Sequence, residues 1–502
     1  MQDRSTTPVP PTTTPTTLVA PRTGHVVVLG MMAAGKTTVG SRLAKRLGRR
    51  FLDSDLMIHQ AQGATVRELE RRDGLPRVHE LEWEALREAL DAPRPVVVAA
   101  AASVVDHPEA ATLLAGRGLV AWLRITPETM LHRMEADPDE RHRPTLGAAG
   151  PRSVLESLRS LDVGRRARFE ALADLVLDVD SIDPDHAADR LRQATNLPEL
   201  VVDAGARLGE GPLWDPRSDV LWWVDLLGEA IHRHDPADGS DRAWATPRAP
   251  TALACHGREG LVVTTPRGIE AFHPERPLED RLELLIPLEA DDPDTRTNDA
   301  KCDPEGNFLV GTMDWRFAPG RGRLYRVHPD GTIETIVESA TIPNGLCWSG
   351  DGRRFHWIDT PTHRVDVFVV DPGSGRPAGR RHLAPADGGP LNPDGMTIDR
   401  EDCLWVAHFA DGPGSRCAVP GGITRFSPAG EPLLTVELPA TYVTSVCFGG
   451  PGLEELYITT GPNEVPEPEL VHEPHAGGLF RWRPGVGGRL LHAFGPHAPA
   501  SG

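Results

Sequence analysis

Apolar strands and polar turns alternate over the last 300 residues of the chain with a nearly constant spacing. The apolar strand patterns begin near Leu221, Leu261, Phe308, Phe355, Leu404 and Leu456, at intervals of 40, 47, 47, 49 and 52 residues. Each pattern follows a turn-forming segment such as DPRSD or DPEGN, which itself follows another apolar stretch. A repeat of this length, containing several strands, predicts an all-β six-bladed β-propeller.

The first 200 residues have a different pattern, which alternates apolar strands with helices. An apolar strand at 25–29 leads into a glycine-rich turn, and the helix after it carries Val39, Leu43 and Leu47 on one face. This order predicts an α/β P-loop kinase fold, with a parallel sheet and flanking helices. We therefore expect four segments, which are a disordered Thr/Pro-rich tail (1–22), a P-loop domain (23–182), a linker (183–200) and the propeller (201–495).

Four oxygen-bearing side chains occupy the same phase of the propeller repeat. Glu210, Asn298, Asn344 and Asp394 each lie ten or eleven residues ahead of an apolar strand. Because the innermost strands of a propeller line one central channel, residues of equal phase form a ring at one level of it. Carboxylates and carboxamides are hard oxygen donors, so the ring predicts a site for one divalent ion, Ca²⁺, Mg²⁺, Mn²⁺ or Zn²⁺.

The glycine-rich turn of the first domain has the spacing of a phosphate-binding loop. Gly30 is followed after four residues by Gly35, Lys36 and Thr37, between a strand and a helix. Backbone N–H groups of such a loop surround phosphates, the lysine reaches the β- and γ-phosphates, and the hydroxyl binds Mg²⁺. The motif therefore predicts ATP with Mg²⁺ as the bound nucleotide.

The propeller half resembles the SMP-30/gluconolactonase family. The resemblance rests on LGEGPLW (208–214), RTNDAKCDPEGNFLVGTMD (296–314), IPNGLCWS (342–349), NPDGMTID (392–399) and LWVAHFADG (404–412). It implies a divalent-metal-dependent hydrolase of sugar-type lactones. It also implies that the metal ligands are Glu210, Asn344 and Asp394 and that the lactone is bound by Arg296, Asn298 and Asp299.

The expected chemistry of the propeller is ester hydrolysis. A divalent ion polarises the lactone carbonyl and lowers the pKa of bound water, and a carboxylate accepts the proton, for which we expect Asp394. One departure from the family concerns the lactone, because the FAPG stretch before GRLYRV has no acidic residue where some animal members place a substrate-contacting Glu. A metal-stabilised propeller that only binds ligands is the alternative within this fold.

The first domain resembles shikimate kinase over residues 24–180. The resemblance rests on GMMAAGKTTVG, FLDSD, RPTL (143–146) and GRRARFEALADLVLDVD (164–180). It implies that Asp55 binds and deprotonates the acceptor hydroxyl and that Arg165 faces the acceptor carboxylate. The nucleotide-binding residues that it implies are Gly30, Gly35, Lys36, Thr37, Thr38 and Arg143, with Thr37 and Asp53 at Mg²⁺.

The acceptor pocket departs from that family. His79 stands where a second acceptor-binding arginine is expected, and the Gly-Gly-Gly loop has become AAAAS (99–103). A neutral imidazole does not make the bidentate clamp of arginine. The acceptor is therefore expected to be shikimate or a related small hydroxy-acid or cyclitol. The alternative is an active lactonase with a degenerate or nucleotide-sensing P-loop domain that acts as a binding or scaffold module.

Composition and charge limit the expected partners and location of the protein. The net charge of −19 argues against a nucleic-acid partner, and no run is long and apolar enough for a membrane span. The start of the chain lacks the apolar core of a signal peptide, and the six cysteines show no metal-binding spacing, so we expect a cytoplasmic enzyme. The expected partners are small-molecule substrates, with no obligate protein partner evident. One hypothesis for the fusion is that the propeller opens a lactone and the P-loop domain phosphorylates the resulting hydroxy-acid.

Overall fold

A parallel α/β sheet and a ring of six antiparallel sheets follow one another along the chain, as the sequence predicts. The computed structural model describes residues 15–16, 18, 24–136, 151–258, 260–385, 391–410, 421–463 and 465–495. Arg143 lies outside these residues. No helix in the described part of the chain is long and apolar enough to span a membrane.

The first domain has a five-stranded parallel sheet between helices. Its strands are β1 (His25–Gly30), β2 (Phe51–Asp53), β3 (Val97–Ala99), β4 (Gly118–Arg124) and β5 (Leu175–Asp178), in the order β2-β3-β1-β4-β5. Its helices are α1 (Lys36–Leu47), α2 (Ser54–Gln62), α3 (Val66–Asp73), α4 (Leu75–Leu90), α5 (Ala110–Leu114), α6 (Pro127–Ala136), α7 (Pro151–Leu172) and α8 (Pro184–Thr195). Every residue of the central strand β1 is buried, which explains its continuous apolar run.

The second domain is the six-bladed propeller. The first two blades are β7 (Gly209–Asp215), β8 (Val220–Asp225), β9 (Ala230–Asp235), β10 (Ser240–Ala245) and then β11 (Ala252–His256), β12 (Gly260–Thr265), β13 (Gly268–Phe272), β14 (Leu282–Pro287). The third and fourth blades are β15 (Thr295–Cys302), β16 (Phe308–Asp314), β17 (Gly322–Val327), β18 (Ile333–Ala340) and then β19 (Pro343–Trp348), β20 (Arg354–Asp359), β21 (Arg364–Val370), β22 (Pro377–Pro385). The fifth blade is β23 (Leu391–Ile398), β24 (Leu404–Ala410), β25 (Gly422–Phe426), β26 (Pro432–Glu437), and the last contains β27 (Tyr442–Gly449), β28 (Glu455–Gly461), β29 (Leu479–Trp482). A short helix α9 (Glu467–Leu470) lies between the last two. The six apolar runs of the sequence pattern are therefore the second strands of the blades.

The first strand of each blade is the innermost one. Each of these strands packs against the first strand of the next blade, and β27 packs against β7, so they close a ring. In five of the six, the pairing register with the second strand shifts near the start of the strand, whereas β11 pairs regularly. Such bulges redirect side chains, and four of these bulges lie at or beside the residues of the predicted ring.

The last blade is completed by a strand from the start of the propeller segment. A strand β6 (Glu199–Val202) pairs with β29 as its outermost strand. The segment 183–200, which we expected to be a linker, thus contains α8 and the first half of β6. Trp482 Nε1 donates to the Asn196 carbonyl at 2.9 Å, so the turn between α8 and β6 is also fixed to the last blade.

Two further contacts bind the first part of the chain to the propeller. Arg94, between α4 and β3, pairs with the buried Glu473 at 2.6 Å and also donates to Thr441. Within the tail predicted to be disordered, the Thr16 N–H donates to Glu401 at 2.9 Å, and Arg425 donates to the Thr16 carbonyl at 2.9 Å. The described residues of the tail therefore include one with polar partners in the propeller, which its composition does not reveal.

Candidate functional sites

The glycine-rich loop wraps around the lysine that its motif requires. Gly35 has φ 87°, a left-handed conformation that suits glycine, and the next residue begins α1. Lys36 Nζ donates to the carbonyls of Gly30 at 3.0 Å and Met31 at 3.2 Å. Burial lowers the pKa of Lys36, while the carboxylates of Asp55 and Asp53 oppose that shift. The loop therefore holds a cation beside the N-terminus of a helix, which is a favourable setting for phosphate.

A hydroxyl and a carboxylate lie side by side at this loop. Thr37 Oγ1 donates to Asp53 Oδ2 at 2.7 Å. The other oxygen of Asp53 caps α2 by accepting from the N–H groups of Asp55 at 3.0 Å and Leu56 at 3.4 Å. The side chain of Asp53 is thus fixed by the fold, and it presents with Thr37 the oxygen donors that Mg²⁺ prefers.

A groove lies beside the loop. Its volume is about 360 Å³, and it is lined on one side by Ala33, Gly35 and Thr38. The opposite wall is formed by residues near the end of β5 and the start of α8, together with Arg133 of α6. Arg133 donates to the Ala33 carbonyl at 3.2 Å and also to the Val179 carbonyl. Sequence reasoning missed Arg133, because nothing in its local pattern marks it.

The predicted acceptor residues lie near one another and beside the P-loop lysine. The charge of Arg165 acts on both Lys36 and His79, and that of Asp55 acts on Lys36. Burial and Arg165 lower the pKa of His79. Sequence reasoning missed Glu82, which is one turn from His79 on α4. Burial raises its pKa to about 7, with Asp55 adding to the shift and a hydrogen bond from Ser103 opposing it.

The oxygen-bearing side chains of the propeller start from four inner strands, and a network of hydrogen bonds joins the two asparagines. Asn298 Nδ2 donates to Asn344 Oδ1 at 2.7 Å and to the Pro343 carbonyl at 2.9 Å. Asn344 Nδ2 donates to Thr360 Oγ1 at 2.9 Å. The glycine that follows Asn344 has φ 33°, and a Cβ there would lie 2.6 Å from the Asp394 carbonyl oxygen. The close approach of neighbouring blades therefore explains the Asn-Gly pair.

Three carboxyl groups lie near enough to this network to act on one another, and of these Asp299 and Asp394 are buried and Glu210 is partly buried. Burial raises the pKa of Glu210 to about 8, with the charge of Asp299 as the next cause. Burial also raises the pKa values of Asp299 and Asp394, and Glu210 and Asp299 add to the shift of Asp394. Asp394 Oδ1 and Asp299 Oδ2 are buried with no hydrogen-bond partner among the described residues. Buried, mutually repelling carboxylates with unpaired oxygens fit a divalent cation.

Arg296 forms one wall of this network. It donates through one terminal nitrogen to Asn298 Oδ1 at 2.6 Å and to the Thr297 carbonyl at 2.9 Å. Its guanidinium lies 5.0 Å from the ring centre of Trp315, which is 39% exposed. Burial lowers the pKa of Arg296 to about 10. Sequence reasoning missed Trp315, since an exposed tryptophan after a strand carries no local signal.

A larger cavity, of about 880 Å³, opens at the other end of the channel. It is bordered by the ends of β15, β19 and β23 and by residues 488–492. None of the predicted ring residues lines it. We therefore place the candidate hydrolytic site at the end of the channel where the inner strands begin.

Comparison with known proteins agrees with this division of the chain. The SMP-30/Gluconolactonase/LRE-like region matches residues 208–462, which is half of the chain. This chain belongs to the SMP-30/gluconolactonase family. The shikimate kinase family matches residues 32–196, so the chain joins a shikimate kinase-like domain to an SMP-30 propeller.

Individual relatives match the propeller half. A Bacillus subtilis (strain 168) protein named "Putative sugar lactone lactonase YvrE" is 36% identical over 290 residues, covering 58% of this chain and 95% of that protein. Regucalcin of Xenopus laevis is 31% identical, covering 56% of this chain and 93% of that protein. Among solved structures, the calcium-binding regucalcin of Agrobacterium tumefaciens str. C58 has a TM-score of 0.54 at 26% identity, covering 59% of this chain and 96% of that chain. The structure and the two family matches confirm both predicted folds and both resemblances, and the site roles stay predictions.

Proposed function

We propose that this SMP-30 family protein is bifunctional. Its propeller hydrolyses a sugar-type lactone with a divalent ion, and its P-loop domain transfers the γ-phosphoryl group of ATP to a hydroxyl of a small polyhydroxylated acceptor. The observation that carries the hydrolase is the cluster of Glu210, Asp299 and Asp394 with its two unpaired buried oxygens. The observation that carries the kinase is the 2.7 Å pair of Thr37 and Asp53 beside Lys36.

In the propeller, Glu210, Asn344 and Asp394 would hold the ion. When bound, a divalent ion supplies polarisation of the lactone carbonyl and a lower pKa for water. Asp394 Oδ1, which is buried and unpaired, would accept the proton of the attacking water. Arg296 and Asn298 would orient the lactone, because the hydrogen bond between them fixes the direction of both side chains.

In the P-loop domain, Lys36 would stabilise charge on the transferring phosphoryl group. Gly30, Gly35 and Thr38 would surround the nucleotide phosphates, and Thr37 and Asp53 would hold Mg²⁺. Asp55 would accept the proton of the acceptor hydroxyl. Arg143, predicted to close over the phosphate, lies in a segment that the structure does not describe.

Two variants of the full-length protein test this proposal on the same preparation. Lys36→Met is expected to abolish ADP release while leaving lactone hydrolysis at the wild-type rate, and Asp394→Asn is expected to do the reverse. ADP release is coupled to NADH oxidation, and lactone opening is followed by proton release with Ca²⁺, Mg²⁺, Mn²⁺ or Zn²⁺. Tight ATP binding with no Lys36-dependent turnover would favour a nucleotide-sensing domain on an active lactonase. Lactone hydrolysis that survives both Asp394→Asn and a chelator would refute the metal-dependent site at Asp394, and no hydrolysis of any lactone would refute the hydrolase.

A further inference from the structure

The arginine that the shikimate kinase resemblance assigns to the acceptor carboxylate already has a carboxylate partner. Arg165 Nε lies 2.8 Å and a terminal nitrogen 2.7 Å from the same oxygen of Asp106. Arg168 donates to the other oxygen of Asp106 at 2.8 Å. Asp106 ends the short 3-10 helix Ala102–Asp106 that follows β3. The fold thus places this carboxylate against the guanidinium of Arg165.

An acceptor carboxylate would have to displace Asp106. Such an exchange swaps one charge-assisted pair for another, so it yields little binding free energy from Arg165. It would also leave Asp106 with Arg168 alone. The side chain of Arg165 is only 12% exposed, which leaves little room for a second carboxylate on its far side.

The other side chains of the acceptor pocket do not supply a positive charge in place of Arg165, which is paired with Asp106. His79 stands at the second arginine position, and burial and the charge of Arg165 lower its pKa, although Asp106 opposes that shift. Asp55 and Glu82 act on each other as like charges. Lys36 is held by the loop carbonyls for the nucleotide. A negatively charged acceptor would therefore meet carboxyl groups with no unpaired arginine among the described residues of the pocket.

From this pairing we propose that the phosphoryl acceptor is an uncharged polyol, such as a cyclitol, a sugar or an unopened lactone, and that Asp106 selects it by occupying Arg165. The proposal rests on the proposed kinase activity and narrows its substrate class. Carboxyl groups and Ser103 suit the recognition of hydroxyl groups, because they accept and donate hydrogen bonds.

The transfer itself is an ordinary phosphoryl transfer. The acceptor oxygen forms a bond to the γ-phosphorus of ATP, and the bond from that phosphorus to the β,γ-bridging oxygen breaks, so ADP leaves with the electron pair. The hydroxyl proton passes to the Asp55 carboxylate. One consequence is that the ring-opened acid produced by a lactonase belongs to the disfavoured class, which reverses the order of reactions suggested by the sequence alone.

Matched acceptors test the proposal with the full-length protein, Mg²⁺ and ATP. The pairs are methyl shikimate with shikimate, and glucitol with gluconate, with myo-inositol as a further neutral compound. We expect kcat/KM to be at least about tenfold higher for the neutral member, because the pocket lacks a free arginine clamp. In Asp106→Asn, Arg165 regains a free face, so the ratio of kcat/KM for the neutral acceptor to that for the charged acceptor should fall by about tenfold or more.

Controls separate selectivity from folding. Asp91→Asn removes the same charge from a surface pair with Arg117 and should leave the ratio unchanged. Asp106→Ala repeats the test with a smaller side chain, and circular dichroism checks that each variant is folded.

The outcomes are distinct. A wild-type preference for shikimate or gluconate overturns the proposal but leaves the kinase standing. A neutral preference that persists in both folded Asp106 variants overturns the role of Asp106. If no acceptor supports Lys36-dependent ADP release, the kinase assignment fails and this inference fails with it.

Discussion

Replacing Glu210 with glutamine should stabilise the metal-free propeller at alkaline pH and remove its response to divalent ions. The pKa of Glu210 rises from 4.5 to about 8 on folding. Each pH unit between those values corresponds to about 1.4 kcal/mol. Ionising this carboxyl therefore costs on the order of 3–5 kcal/mol of folding free energy, part of it shared with the neighbouring carboxyl groups.

The direction of the pH dependence of stability follows from the raised pKa of Glu210. Below pH 4.5 the carboxyl is neutral in both the folded and the unfolded chain, so the folded state keeps its full free energy of unfolding. As the pH rises through 4.5 towards 8, the unfolded chain ionises first, and the folded state loses that stability. Wild-type protein in chelator should therefore unfold at a lower temperature at pH 8 than at pH 5.5, whereas Glu210→Gln should show a smaller difference.

Thermal unfolding followed by tryptophan fluorescence measures this effect, since all tryptophans except Trp83 and Trp122 lie in the propeller. In chelator at pH 8, we expect Glu210→Gln to melt roughly 5–10 °C above wild type. With a divalent ion at about 100 times its Kd, wild type should gain about 2.7 kcal/mol and the variant little. Glu338→Gln, on the exposed strand β18, is the matched control. Equal melting of Glu210→Gln and wild type in chelator, or an equal gain from the ion, would refute the reasoning.

Three further changes have defined outcomes. Gly345→Ala places a Cβ 2.5 Å from Ile358 Cδ1 at φ 33°, so lactone hydrolysis should fall by about tenfold or more with ADP release intact, and unchanged hydrolysis would contradict this. Arg94→Ala leaves Glu473 buried without its cation, so calorimetry should show a loss of about 3–5 kcal/mol, part of which Arg94→Lys restores. The pKa of Glu82 rises from 4.5 to about 7, so stability should fall by about 3 kcal/mol as the pH rises through that range. Urea unfolding at pH 5 and 8 should show this loss in wild type and not in Glu82→Gln, and an equal loss in both would argue against it.

Repetition and local spacing made the folds predictable. The recurring apolar runs that begin near Leu221 and Phe308 identified the second strands of blades, and the interval from Gly30 to Lys36 identified the phosphate loop. Equal phase also predicted that Asn298 and Asn344 would meet, and their side chains form a hydrogen bond at 2.7 Å. These features follow from periodicity along the chain, which a sequence displays directly.

The remainder depends on contacts between distant segments. Asp106 meets Arg165 because a turn after β3 faces α7, and no local pattern records that approach. Trp315 covers Arg296 from a neighbouring loop for the same reason. The outermost strand of the last blade escaped the sequence pattern because β6 is short, isolated from the repeat, and pairs with a strand 280 residues later along the chain.

The pairing of β6 with β29 sets the order in which the two halves of this chain can reach their final form during synthesis. Every strand of the α/β sheet has left the ribosome once residue 178 has emerged, so that domain can fold early. The last blade of the propeller cannot be completed until residue 482 emerges, because β6 pairs with β29 near the far end of the chain. A fragment cut at the family boundaries 208–462 would lack both β6 and β29. Cutting the fusion between its two domains would therefore leave the last blade one strand short unless β6 stays with the propeller.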